Sequence, residues 1–358
     1  MDVVYGIPIL GVIFQFIGYV IEVTPGIAPI VLGLATPIAL GALCGVMNER
    51  SGIVNIGIEG MMLSGAFAGF LAAGLWQQAF GGDPLGPFGL TPALLVGVIA
   101  AIVTSMALSA LHAWLSITVA ADQIISGVII NVAALGLTGY LNRLLISPNP
   151  RLGAGTFSSF RLPPEVADFP VVGWILEMFV EQGPIAMSVV IFVIVLQVLL
   201  FRSRWGLRTR AVGEHPRAAD TVGISVIRLR YRNVIIAGIF AGLAGAYLTL
   251  EGTSSFQNNM TAGRGFIALA AVIFGRWTPI GAFGAALLFA YSGAFGQAVR
   301  IRPPGDEYAD LGAIMAAIPS QVYGALPYIV TIVILAGVVG RSIAPAAVGR
   351  PYKKEEQT

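Results

Sequence analysis

Runs of about twenty apolar residues recur along the whole of this 358-residue chain, and they decide what it can fold into. A helix needs about 20 such residues to cross the hydrocarbon core of a bilayer. The expected fold is an all-α polytopic membrane protein. Ten segments qualify as transmembrane helices, at 5–21, 27–47, 58–75, 92–117, 123–141, 184–201, 233–250, 265–275, 280–299 and 322–339. The first is the weakest and reads as a crossing or as a peripheral helix. Only 11% of residues are charged, against roughly 25% in soluble domains. Glycine supplies 45 residues, and pairs spaced by four recur at Gly41/Gly45, Gly65/Gly69, Gly238/Gly242 and Ala241/Gly245. Such pairs let helix backbones approach closely in lipid.

The basic residues orient the segments. Eight arginines lie between Arg202 and Arg232, in one loop between apolar runs. Lys and Arg are retained on the cytoplasmic side during insertion, so loop 202–232 is expected there. Ten crossings then place both termini in the cytoplasm as well, and the Pro-containing loop 142–183 outside. The remaining charges agree: fourteen Lys and Arg fall in inner segments, from Arg50 to Lys354, and six in outer ones. The net charge of +2 is what remains of these local asymmetries and gives no reason to expect a nucleic-acid partner. The N-terminus lacks the basic region of a cleaved secretory signal, and a single cysteine, Cys44, rules out an intrachain disulfide.

Five segments precede the long outer loop and five follow it. An odd number per half requires any internal repeat to be inverted across the membrane. That pairs the third segment with the eighth, and both are unusual. The third carries Asn55 and Glu59 into an apolar run. The eighth has about eleven apolar residues, too few to cross alone, and follows the polar stretch Asn258, Asn259 and Thr261, between Phe256 and Phe266. These residues, with Asn131 in the fifth segment, are the candidates for a polar substrate path. Amides can serve ribose hydroxyls or a base edge, and an aromatic ring can stack on a base. The competing reading for Asn55, Glu59 and Asn131 is hydrogen bonding between helices. His112 reads as a core or interfacial residue, Asp122 as a charge at the N-terminal end of the fifth segment that complements the helix dipole, and Arg264 as an anchor of its helix end. No cluster has metal-ligand spacing, and no set is placed for nucleophilic catalysis.

The basic loop carries a short helix signal. Gly213, Glu214 and His215 form a turn, Pro216 suits the first helical position, Arg217, Ala218 and Ala219 follow, and Gly223 suits the stop. AVGEHPRAADTVGIS resembles the coupling-loop motif of ABC importer permeases for sugars and nucleosides. The stretches 35–67 and 258–282 are similar to the permeases of bacterial nucleoside ABC importers, so the resemblance runs from about Ala35 to Tyr328. It implies a permease subunit that is not itself an enzyme, with no cofactor in this chain. ATP and Mg would sit on a cytosolic ATPase dimer, and a second permease, identical or different, would complete the pore. An extracytoplasmic binding protein would deliver the substrate. The sequence agrees on one point: the only lysines are Lys353 and Lys354, and nothing resembles a phosphate-binding loop. A monosaccharide or branched-chain amino acid permease remains the alternative within the class. An ion-coupled carrier using Glu59 or Asp122 is the alternative outside it, and it has no need of the short helix.

Overall fold

The computed structural model describes residues 8–153, 155–167, 169, 172–337 and 343–352. Every regular element among them is helical. In chain order they are α1 (Pro8–Arg50), α2 (Ile58–Phe80), α3 (Pro92–Ala113), α4 (Gln123–Leu141), α5 (Pro164–Ala167), α6 (Val172–Val180), α7 (Pro184–Arg202), α8 (Arg204–Glu214), α9 (Pro216–Thr221), α10 (Val226–Ala246), α11 (Arg264–Phe274), α12 (Pro279–Ile301), α13 (Ala309–Ala316), α14 (Ser320–Gly324) and α15 (Leu326–Gly337). Seven helices among the described residues are long and apolar enough to cross a membrane. The protein is an all-α polytopic membrane protein.

The difference from ten has three sources. The segments at 5–21 and 27–47 are one continuous helix, α1, of 43 residues, about twice what one crossing needs. The break expected around Pro25 does not form. Prolines are tolerated in membrane helices, and α1 runs through Pro25, Pro29 and Pro37. The join removes one crossing from the count that placed both termini on the same side. The eighth segment is the short helix α11, as its length implied. The last is divided into α14 and α15. Residues 5–7 of the first expected segment, residues 338–339 of the last, and Arg341, Lys353 and Lys354 of the charge argument lie outside the described residues.

The chain divides into two units. The first comprises 1–35, 161–182 and 287–340. Its core is a stripe on α1 with a spacing of four (Tyr19, Val23, Ile27, Val31, Ala35), packed on Ala290, Phe295 and Leu311. That spacing keeps the side chains on one helix face.

The second unit comprises 36–160, 183–286 and 341–358. There α2 packs against both α3 and α10, and α10 against α3. Small residues make this possible. A Cβ at Gly242 would lie 2.6 Å from the Ile102 Cα, and one at Gly238 would lie 2.9 Å from the Met106 Cα. Neither neighbour is a side chain that can swing away. Gly242→Leu is therefore expected to cut the amount of assembled permease several-fold in a membrane blot, and normal accumulation would mean that this face looks at lipid.

Candidate functional site

The two unusual segments meet. The Glu59 carboxylate, on the first turn of α2, accepts the Gly263 N–H at 2.7 Å and the Gly265 N–H at 2.6 Å. It caps the N-terminus of α11, where a negative charge complements the helix dipole. Helix α11 has only eleven residues and could not persist alone in water. The chain reaches it through Asn259, Ala262 and Gly263, all with positive φ. Gly263 meets that requirement without steric cost.

Asn55 and Asn131 support the same region. The Asn55 side chain accepts the Gly57 N–H at 3.0 Å. The Asn131 side chain accepts the Gly60 N–H at 2.7 Å and donates to the Ile56 carbonyl at 3.0 Å. Three polar side chains singled out as path candidates thus bond to backbone: Asn55 and Asn131 around the start of α2, and Glu59 at the start of α11. Phe256 is buried edge-on against Phe67, with centroids 5.3 Å apart. Thr261 is buried, and its hydroxyl has no hydrogen-bond partner. Asn258 is exposed and accepts from Asn142 at 2.9 Å, and Asn259 and Phe266 are exposed. Arg264 donates to the Met260 and Thr261 carbonyls, at the end of its own helix. His112 is fully buried between Ser126 and the Val54 carbonyl, and Asp122 accepts the Ile124 and Ile125 N–H groups at the start of α4.

The other end of α11 carries a feature that the sequence did not announce. Arg276 and Trp277 both have positive φ, at 52° and 54°, a conformation that costs an ordinary L-residue about 1–2 kcal/mol. Two consecutive residues of α1 hold the turn. The Trp277 indole donates to the Glu49 carboxylate, while Arg50 donates to the Trp277 carbonyl at 2.7 Å and to the Arg276 carbonyl at 3.1 Å.

The coupling-loop candidates form a separate group. The loop is more helical than expected: α8 occupies 204–214, and α10 begins at Val226, seven residues before the expected start of its apolar run. Between them α9 starts at Pro216 and ends just before Gly223, whose φ is +82°. Ala219 packs inward with Val212 and Val226, whereas Arg217 and Ala218 are exposed. Glu214, His215, Pro216, Arg217 and Ala218 border a cleft of about 760 Å3. Gly213 is buried, and its carbonyl accepts the Ala347 N–H at 2.9 Å. No group of three or more His, Cys, Asp or Glu suited to a metal occurs among the described residues.

Comparison with known proteins places this architecture. The guanosine ABC transporter permease protein NupQ of Bacillus subtilis is 38% identical over 342 residues, covering 94% of this chain and 98% of NupQ. The nucleoside ABC transporter permease protein NupC of Lactococcus lactis is 34% identical, covering 90% of this chain and 95% of NupC. A putative glucose ABC transporter permease protein of Haloferax volcanii, TsgC13, is 32% identical, with 90% and 95% covered. No solved structure gives a significant match. Residues 27–335 match the family described as branched-chain amino acid transport system / permease component, and the chain belongs to that family of transporter permeases.

Proposed function

We propose that this chain is the membrane permease of an ABC importer that brings nucleosides into the cytoplasm, with ATP hydrolysed on a separate cytosolic ATPase. The observation that carries the substrate class is the near-complete coverage of two relatives whose names specify guanosine and nucleosides. The ATPase-driven mechanism is supported by α9, a six-residue helix with its buried face packed on Val212 and Val226 and its other face exposed. Closure of the ATPase dimer would push on α9 and rock this chain against a second permease, identical or different. Mg and ATP would be held by the ATPase, and affinity would come from an extracytoplasmic binding protein. Within this chain Asn258, Asn259 and Phe266 are the path candidates with exposed side chains.

The test is uptake of labelled guanosine and uridine by cells expressing the importer, with and without its ATPase. Uptake that requires the ATPase and is unaffected by excess glucose supports the proposal. The glucose permease relative gives the second reading its ground, and competition by glucose alone would favour it. Uptake that persists without the ATPase would point to a carrier.

In this reading the loop 202–232 is cytoplasmic and 142–183 is extracytoplasmic. Single cysteines at Ser225 and Ser159 check this, since both positions are exposed. In intact cells an impermeant thiol reagent should label Ser159→Cys and leave Ser225→Cys unlabelled. The opposite pattern reverses the topology.

A further inference from the structure

We infer that the C-terminal segment 345–352 forms, together with α9, a single docking surface for the ATPase. The inference rests on the reading of α9 as the coupling element. One wall of the 760 Å3 cleft carries His215, Pro216 and Ala218, and the other carries Ala346, Arg350 and Tyr352. A partner that fills this cleft touches both walls.

The second wall is pinned to three parts of the second unit. The Ala347 N–H donates to the Gly213 carbonyl at 2.9 Å, and the Gly349 N–H donates to the Gly52 carbonyl at 3.2 Å. The Ala346 N–H donates to the Glu214 carboxylate at 3.1 Å. From α10, Arg230 donates to the Arg350 carbonyl and to the Ser51 carbonyl, each at 3.1 Å. Arg230 is 1% exposed, and its Nη2 has no hydrogen-bond partner. Burying a guanidinium is costly, yet here it holds a terminal segment against the turn that leaves α1. Because the wall is already ordered, docking costs little in lost freedom.

Charge indicates what the occupant presents. Arg217 and Arg350 border the cleft beside one carboxylate, Glu214, which accepts the Ala346 N–H. The matching face of the ATPase should be acidic around an apolar knob, because complementary charge steers and registers such contacts.

Single cysteines at Ala218 and Ala346 test this in the full permease. Both positions are exposed, and the native Cys44 is buried. The rate of labelling by a bulky maleimide is measured on the purified permease with and without its ATPase. The expected result is a ten-fold or greater slowing at both positions. Slowing at Ala218→Cys alone overturns the composite surface and leaves the coupling reading intact. Slowing at neither overturns both. As a second measurement, Ala346→Trp should lower nucleoside uptake at least ten-fold at unchanged permease abundance, and undiminished uptake at that abundance would also overturn the inference.

Discussion

Ala218→Trp is expected to leave the permease in the membrane at its normal level and to reduce uptake ten-fold or more. Ala218 is exposed on a helix held from behind, so a larger side chain there disturbs only what docks against it. Its neighbour provides the contrast. Ala219 is 4% exposed and packs on Val212 and Val226, so Ala219→Trp should lower the amount of folded protein. Overpacking a core position costs typically about 1–3 kcal/mol. Charge reversal at Arg217 should matter least, because exposed ion pairs contribute only about 0–1 kcal/mol. Uptake and co-purification of the ATPase, each normalised to permease abundance, separate these cases. Normal uptake by Ala218→Trp would reduce the loop to a topological signal.

Glu59→Ala is expected to destabilise the purified permease by about 2–6 kcal/mol, since each buried N–H left without an acceptor costs about 1–3 kcal/mol. The two N–H groups involved are those of Gly263 and Gly265. With its cap gone, the Gly263 and Gly265 N–H groups lose their acceptor, and uptake should fall along with the melting temperature. Glu59→Gln keeps one acceptor oxygen and should fall between wild type and Glu59→Ala. A Glu59→Ala protein that melts like wild type but no longer transports would show that the carboxylate acts on the solute and not on the helix.

The sequence exposed those features that depend on neighbours along the chain. The length of the apolar runs gave the class of fold, and Pro216 and Gly223 marked the ends of α9. The eleven apolar residues of the eighth segment marked a helix too short to cross. Asp122 and His112 were placed correctly by their local surroundings. What stayed hidden depends on partners far away in sequence. Arg230 sits among alternating arginines that the sequence uses only to orient the loop, and its contacts with Ser51 and Arg350 distinguish it. Glu49 and Arg50 end an ordinary helix until Trp277, more than two hundred residues later, is brought to them. The unbroken course of α1 was missed because a proline in a helix normally signals a break, and the chain runs through Pro25 as helix.

The cap on α11 also bears on which solutes the protein can favour. The first turn of a helix carries roughly half a positive charge, and transporters often aim such an end at the anionic group of their cargo. In this chain Glu59 already occupies that end of α11. A phosphate or carboxylate passing nearby would meet a resident negative charge and find the N–H groups taken. An uncharged solute forfeits nothing there. Under the proposed function, a path running past this end of α11 would therefore favour the unphosphorylated form of a solute over its phosphorylated counterpart.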